Sequence, residues 1–547
     1  MRRDGQSSRS KGSKFINVVM RFLASLVTRP ARRLILISAI LFVLAYPPLP
    51  FGFLAYVCLV PMIVATTSRG FWVGLRRGYA FGLLTNLFLL YWVGMGVESY
   101  ILAHNPAVGG GTRFLVGYVV APLTTVLVVV IQALYTGALF GVWAWLSERG
   151  RYWLLGFPFL WVSVEYSKTL TELAFPWVEL AYTQSGLTPM IQTASWWGHL
   201  GVSFVLAMVN LLFYVAWAEW KRAKALSVVS ASTAIAGLIL LLLHGLQVDC
   251  IPGGDGIEVT LIQPNLSMER KHGEGGVAHT RDRLTDMTRE WGGGADLVVF
   301  PETALRAGLL DESSGGHWSG LADSLDTNIL MGTVESRSRR GRSCDFNSAV
   351  QIGADGGYDY VRHKIRLVPF GEKVPYIQHM PFLWDFHLGS SNSCRGDSIS
   401  VFDASGMRYA VLICFEVAFA ELNRRSVENG AGLLVGISND SWWRGSAMPY
   451  QHASIVPLRS VENRRWYAFS SNSGFSFFCD PCGRILDRSE LSTRAAFSRT
   501  VYRMGRTTFY TRHGSWLPLI AVAFSVLLVL LRLLPYPFRK RAADNRP

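Results

Sequence analysis

Charge is scarce in this chain. Asp, Glu, Lys and Arg together make 17% of 547 residues, whereas half of the chain is hydrophobic and the mean hydropathy is +0.26. That balance excludes an ordinary soluble protein and points to several membrane spans plus at least one folded domain. Cysteine is sparse as well: seven, an odd number, which excludes a dense disulfide framework. Cys344, Cys394, Cys479 and Cys482 can pair if their compartment is oxidising, and the sequence leaves their connectivity open. Cys479-Asp480-Pro481-Cys482 has the spacing of a redox or zinc motif, but no second Cys pair or His pair lies nearby, so a turn with two incidental thiols is expected. There is no metal constellation and no internal repeat, so no cofactor is expected. No small-residue cleavage site follows the first apolar run at 34–46, and more apolar runs come at once, so that run is expected to stay attached.

What is present is a series of apolar segments. Residues 1–33, rich in Arg, Lys and Ser, form a basic, flexible tail. A bilayer span needs about 20 apolar residues, and candidates fall near 34–48, 51–67, 79–98, 114–146, 152–168, 195–219 and 225–247, with one isolated span near 516–535. Pro47-Pro48-Leu49-Pro50 joins the first two as a tight helical hairpin, and 114–146 is long enough to tilt or to project. The formal charge of +15 is a membrane signature and not a nucleic-acid one, because its clusters flank the apolar segments. Arg69 with Arg76 and Arg77, Arg149 with Arg151, Lys221-Arg222 with Lys224, and Arg539-Lys540-Arg541 all fall on one side if there are eight spans. Positive loops stay in the cytoplasm. The expectation is therefore a multi-pass protein of the bacterial inner membrane with both termini cytoplasmic and everything between 248 and 515 outside.

The long insert changes character. Short β-rich runs alternate with helical patterns: a strand at 257–263, a helix at 277–291, Val298-Val299-Phe300-Pro301-Glu302, strands at 328–334, 348–353 and 358–364, and a hairpin turn at Ala354-Asp355-Gly356-Gly357. A buried strand then runs from Tyr409 to Cys414, and 433–439 is a further strand before a helix from Tyr450 and strands from Tyr467 onward. Gly/Ser-rich patches near 273–276, 313–316 and 389–393 are expected to be loops. The resulting division is a basic tail (1–33), a bundle of seven spans (34–249), an α/β domain (250–512) and a last span with a tail (513–547), with a chain length in the insert that can bury its own core.

Three apolar runs of the insert end in reactive groups: a carboxylate at Glu302, an amine at Lys364 and a thiol at Cys414. Thiol chemistry on an acyl group needs a base to make the thiolate and a cation or amides to hold the oxyanion. The words around these residues are Phe300-Pro301-Glu302-Thr303, Leu367-Val368-Pro369-Phe370-Gly371-Glu372, Ile413-Cys414-Phe415-Glu416 and Ser438-Asn439-Asp440-Ser441-Trp442 continuing to Gln451-His452. They resemble the nitrilase superfamily and, more narrowly, its membrane-embedded apolipoprotein N-acyltransferase family. Phe175-Pro176-Trp177, Tyr182-Thr183-Gln184 and 201–210 extend the resemblance into the apolar part.

The resemblance implies a nitrilase-like αββα sandwich with a Glu-Lys-Cys triad. Glu302 would be general base and acid, Lys364 the oxyanion cation and Cys414 the nucleophile. Glu372 would position Lys364 or the proton path, Glu416 matches a family residue near the nucleophile, and the backbone N–H of Phe415 would be a second oxyanion donor. Trp442, Trp443 and Trp384, the last in the aromatic lid candidate at 381–386, are substrate-pocket candidates. Two departures stand out: Phe415 takes a place where Tyr is frequent, and no Trp follows Gln263-Pro264-Asn265. The implied activity moves an acyl chain from a membrane phospholipid, through a cysteine thioester, to the N-terminal amine of a diacylglyceryl-cysteine apolipoprotein. Its partners are the phospholipid donor, the apolipoprotein acceptor and the bilayer, with no nucleic acid and a monomeric protein. The competing readings are a membrane-tethered amidohydrolase with water as acceptor and a transporter, the latter disfavoured because few polar residues, such as Asn86, Glu165 and Asn210, fall within the apolar segments.

Overall fold

Long apolar runs without breakers become helices, and helices that are apolar all round must find lipid or protein on every side. The computed structural model describes residues 30–104, 109–267, 270–271, 275–305, 312–339, 342–376 and 393–534. Its first half is a helical bundle: α1 (Pro30–Leu44), α2 (Val60–Thr66), α3 (Phe71–Leu89), α4 (Trp92–His104), α5 (Gly110–Arg149), α6 (Gly156–Ser167), α7 (His199–Glu219) and α8 (Lys224–Gln247). Val229, Ile239, Leu240 and Leu246 of α8 point away from the protein, an apolar face that is stable only against hydrocarbon. Gly74, Gly78 and Gly82, four residues apart on α3, lie against Phe140 and Thr136 of α5, where any Cβ would overlap them, the close approach that small residues allow between spanning helices.

Among the described residues α5, α7 and α8, with a later helix, are each long and apolar enough to cross a bilayer, and α3 with α4 passes the same test as a pair bent by 48°. The segments expected at 34–48, 51–67 and 152–168 take shorter forms. They contain α1 of 15 residues, α2 of 7 and α6 of 12, less than the roughly 20 residues a lone crossing needs. The Pro47-Pro48-Leu49-Pro50 run separates α1 from α2, a 3-10 turn at Arg151–Leu155 precedes α6, and after α6 the chain leaves regular helix. The resulting loop from 168 to 193 is held inside the protein by its own contacts, which matters below.

The second half is built from β1 (Gly256–Gln263), α9 (Gly276–Trp291), β2 (Leu297–Val299), α10 (Glu312–Leu325), β3 (Asn328–Arg339), β4 (Arg342–Ile352), β5 (Tyr358–His363), β6 (Val401–Ala404), β7 (Met407–Ile413), α11 (Ala420–Glu428), β8 (Leu433–Ser438), α12 (Met448–Asn463), β9 (Trp466–Ser471), β10 (Phe477–Cys479), β11 (Ile485–Leu486) and β12 (Ala495–Tyr502). The strands form two six-stranded sheets in the orders β12-β1-β2-β3-β4-β5 and β11-β10-β9-β8-β7-β6. In each sheet the middle strands are parallel (β1-β2-β3 and β7-β8-β9) and the outer ones antiparallel. Val259, Leu261 and Val299 of the first sheet pack on Tyr409, Val411 and Val435 of the second. Leu284, Met287, Trp318 and Leu321 of α9 and α10 cover the first sheet outside, and Leu422, Val456 and Leu458 of α11 and α12 cover the second. The layering is thus α/β/β/α, as expected. The Gly/Ser patch at 313–316, expected as a loop, lies inside α10, whose burial of Trp318 and Leu321 overrides the low helix propensity of glycine.

A last helix, α13 (Trp516–Leu533), returns to the bundle beside α6, where Phe524 meets Phe159 with ring centroids 4.4 Å apart. Its start lies near Trp196, whose carbonyl accepts from Trp516 Nε1 at 3.0 Å, and its end near Arg149, whose guanidinium donates to the Arg532 carbonyl at 2.8 Å. Ser68 bonds Ser147 at that same end, so the basic residues near 69 and 149 and the end of α13 gather together. Cys250, just beyond α8, forms a disulfide with Cys482, and Cys344 forms one with Cys394, while Cys479 is buried and free. Cys482 is therefore no incidental thiol: its partner lies 232 residues away and staples the exit of α8 to the turn after β10.

Candidate active site

The parallel middle strands of both sheets end at one edge, and the strand ends deliver the site. After β7 the chain turns at once, and Cys414 takes φ = 53° as the first residue of a 3-10 turn (Cys414–Ala418). A side chain with a Cβ rarely occupies that region, and such strain persists only where the surroundings over-determine it. Glu416 supplies much of that constraint. Its fully buried carboxylate accepts from the backbone N–H of Ile413 at 2.8 Å, of Ile365 at 2.7 Å and of Arg366 at 3.1 Å, and from Arg362 Nη1 at 2.6 Å. It thereby ties the segment after Lys364 to the turn that carries Cys414. His452 Nε2 lies 3.2 Å from the Cys414 carbonyl and its Nδ1 3.2 Å from Asp440, fixing the turn from α12.

Glu302 follows β2, and Lys364 follows β5. Lys364 Nζ lies 3.1 Å from Glu302 Oε1 and 2.9 Å from Glu372 Oε1. Asn347 Nδ2 on β4 donates to both carboxylates, at 2.8 Å to Glu302 and 3.2 Å to Glu372. The other oxygen of Glu302 accepts from the Asn439 N–H at 3.0 Å, and that of Glu372 from the Val368 N–H at 2.9 Å. Each carboxylate is thus fixed at both oxygens. Gly332 of β3 makes room for this: a Cβ there would stand 2.5 Å from the Pro301 carbonyl oxygen and 2.7 Å from Glu302 Cα.

Electrostatics follows from the burial. Desolvation pulls the Lys364 ammonium down, but the Glu302 and Glu372 carboxylates, with Cys414, outweigh it and hold its pKa well above the ordinary lysine value. Burial, reinforced by Glu302, pushes the Cys414 thiol well above its ordinary value, and Lys364 opposes that rise. The Cys414 thiol, the Glu302 carboxylate and the Lys364 ammonium thus act on one another electrostatically in one buried cluster.

All of Glu302, Lys364, Glu372, Cys414, Phe415 and Glu416 come together here. Glu416 is an internal strut, not a surface charge. The Phe415 ring is buried against Phe175 and Trp177, with centroids 5.8 and 6.1 Å apart, so the residue after Cys414 packs on the loop that follows α6. Trp442 and Trp443 turn towards α4: Trp442 lies 5.4 Å from the Tyr100 ring and Trp443 5.9 Å from Trp92. They sit between the two halves of the molecule, and Trp384 lies outside the described residues. Gln451 joins these walls, since its Oε1 accepts from both Trp92 Nε1 at 3.0 Å and Trp177 Nε1 at 2.9 Å. Sequence reasoning missed Asn347, Arg362 and the Asn439 amide. An Asn flanking a β-rich run and an Arg two residues before the lysine were the available signals, and both look like ordinary strand residues.

The sequence matches the family profile of the apolipoprotein N-acyltransferase N-terminal domain over residues 38–212 and that of carbon-nitrogen hydrolases over 258–498. The Geobacter metallireducens apolipoprotein N-acyltransferase is 30% identical over 517 residues, which cover 93% of this chain and 96% of that protein. The chain belongs to the apolipoprotein N-acyltransferase family. The Chlorobaculum tepidum relative of the same name is 27% identical, covering 91% of this chain and 95% of its own. Among solved structures, Saccharomyces cerevisiae Nit3, a nitrilase-superfamily member, is similar at 17% identity and a TM-score of 0.37, covering 53% of this chain and 97% of its own. Family membership places a nitrilase-type α/β layer and a helical bundle in one polypeptide, which is the arrangement seen here.

Proposed function

We propose that this protein transfers a fatty acyl chain from a membrane phospholipid to the N-terminal α-amine of an S-diacylglyceryl-cysteine apolipoprotein; its relatives bear the name apolipoprotein N-acyltransferase. The observation that carries this reading is the convergence of Glu302, Lys364 and Cys414 at one sheet edge, against a wall supplied by the apolar bundle. A soluble acceptor would need only an anchor; here Phe175 and Trp177 reach from the bundle to the residue beside the thiol.

In the first half-reaction Glu302 takes the Cys414 proton and the sulfur attacks the acyl ester carbonyl. Lys364, with the backbone N–H of Phe415, holds the oxyanion. Collapse of the tetrahedral intermediate breaks the ester C–O bond, and Glu302 returns its proton to the departing lysophospholipid alkoxide. In the second, the α-amine attacks the thioester, Glu302 takes a proton from the nitrogen, the C–S bond breaks to leave an amide, and Glu302 returns that proton to the Cys414 sulfur. Glu372 and Asn347 keep Lys364 and Glu302 in register. Burial of acyl CH₂ groups is worth about 0.8 kcal/mol each, so a chain of ordinary length cannot be drawn into water, and the site works at the bilayer surface. The two disulfides and the gathering of basic loops at the end of α13 support an extracytoplasmic α/β layer with cytoplasmic positive loops.

The test is conversion of a diacylated lipopeptide to a triacylated one by purified protein in defined lipid. Labelled phospholipid alone is expected to leave a hydroxylamine-sensitive adduct that Cys414→Ala abolishes. Free fatty acid without N-acylated product would instead establish hydrolysis.

A further inference from the structure

The loop between α6 and α7 touches the site twice. At 175 and 177 it stacks on Phe415, beside the thiol. Three residues earlier, Glu172 Oε2 accepts from the Tyr376 N–H at 2.7 Å and lies 3.5 Å from Lys373 Nζ. Those two residues end the turn that carries Glu372. That turn is closed internally, by Glu372 N–H to the Val368 carbonyl at 3.0 Å and Phe370 N–H to the Lys373 carbonyl at 2.8 Å. Phe370 and Tyr376 hold φ of 63° and 56°, a left-handed backbone that non-glycine residues keep only when it is pinned. Glu172 is one such pin, and it comes from the bundle and not from the α/β layer. The loop itself is shaped by Phe175 N–H to the Lys168 carbonyl at 2.9 Å and Ala174 N–H to the Thr171 carbonyl at 3.0 Å, so Glu172 is presented from a fixed turn.

We propose that Glu172 is a positioning residue: it holds the 368–376 turn so that Glu372 stays on Lys364, and through it the helical bundle sets the geometry of the ammonium in the α/β layer. The inference deepens the acyltransferase reading and rests on it for its kinetic consequence, but not for its geometric one. Glu172 acts only through Glu372, so the two residues form one unit whose losses do not add.

The experiment compares wild type, Glu172→Ala, Glu172→Gln, Glu372→Gln and the double variant Glu172→Ala/Glu372→Gln in lipid nanodiscs. Two readouts are taken. The pH profile of Cys414 alkylation by iodoacetamide needs no substrate and reports the charges facing the sulfur, Glu302, Lys364 and Asp440. The rate of lipopeptide acylation reports kcat and KM separately. The expected result is that Glu172→Ala, Glu372→Gln and the double variant share one alkylation profile displaced from wild type. Glu172→Gln, whose amide oxygen still accepts from Tyr376 N–H, stays with wild type. Acylation should show a kcat loss of about tenfold or more in Glu172→Ala, with KM for phospholipid little changed, since a misplacement of an ångström suffices for such a loss. An alkylation profile of Glu172→Ala that superimposes on wild type overturns the proposal, and so does a double variant displaced further than Glu372→Gln. Because alkylation is read without lipid or lipopeptide, a protein that acylates nothing would refute the proposed function while leaving this comparison decisive.

Discussion

Replacing Glu416 with glutamine keeps its shape and removes its charge, and the structure states what that should cost. The carboxylate is fully buried with Arg362, and three backbone N–H groups point at it. Breaking a buried ion pair by removing one partner costs about 3–5 kcal/mol, because the other charge is left stranded. The new amide NH₂ must also face at least one of the donors that the carboxylate accepted from. Taking about 4 kcal/mol as the loss, the folding equilibrium shifts nearly a thousandfold. For an α/β body of this size that is a fall in Tm of about 8–16 °C. Arg362→Met leaves Glu416 with its three backbone donors and should cost visibly less. Activity is expected to fall further than stability alone explains, since Glu416 links the Lys364 segment to the Cys414 turn. Thermal unfolding by tryptophan fluorescence in detergent and lipopeptide acylation well below the Tm measure the two effects. A Glu416→Gln protein within about 2 °C of wild type, or an Arg362→Met protein less stable than it, would refute the assignment of Glu416 as the strut.

Cys414 is expected to be unreactive at neutral pH: burial and Glu302 raise its pKa, so alkylation should climb only above the ordinary thiol range of about 8.5, and a fast reaction at pH 7 would contradict this. Gly332→Val must push the Pro301-Glu302 backbone aside; about a hundredfold loss of acylation is expected, with the α/β layer still folded by circular dichroism. With Cys250–Cys482 and Cys344–Cys394 closed, maleimide added after denaturation without reductant should mass-tag three thiols, those of Cys58, Cys414 and Cys479, and all seven after reduction. Five tags without reductant would mean that one pair is open.

Where a residue's role follows from its neighbours in sequence, the chain could be read directly. The strand ends at Glu302, Lys364 and Cys414 were visible because apolar runs stop abruptly at each, and alternating β-rich and helical patterns read as an α/β domain; the α/β/β/α layering was implied only by the nitrilase resemblance. What stayed hidden was set by distant pairings. Asn347 holds two carboxylates that are 45 and 25 residues away, and Arg362 finds Glu416 across 54. The sequence left the pairing of Cys344, Cys394, Cys479 and Cys482 open, and the partner of Cys482 is Cys250, outside that set. Apolar composition marked the segments but not their helix lengths: the proline-rich run at 47–50 separates α1 from α2, and a 3-10 turn at Arg151–Leu155 precedes α6, so these stretches hold shorter helices than the four that pass the length test among the described residues. The polar residues Glu165 and Asn210 looked like isolated exceptions, yet each satisfies backbone groups of a broken segment: Glu165 accepts from Leu180 N–H at 2.8 Å, and Asn210 accepts from Leu59 N–H and donates to the Ala55 carbonyl, both at 2.8 Å.

The same broken segments explain why bundle and α/β layer form one unit. His199, at the start of α7, stands between Glu179 of the loop and Glu462 of α12, at 2.7 and 2.8 Å. Arg459 pairs with Glu462 at 3.0 Å and reaches the Ala418 carbonyl at 3.4 Å, the last residue of the turn that begins at Cys414. Each of these groups is buried, and a buried charge is tolerated only while its partners are present. Parting the two halves would break the His199–Glu462 contact that joins the Glu179–His199 pair to the Glu462–Arg459 pair, and would unstack Phe415 from Trp177 in the same movement. A continuous span has no reason to bend back into protein; a loop does. By giving up regular helix between α6 and α7, the bundle gains a segment that can carry Phe175, Trp177 and Glu179 into the α/β layer, so this irregular stretch is the part of the bundle that reaches the site.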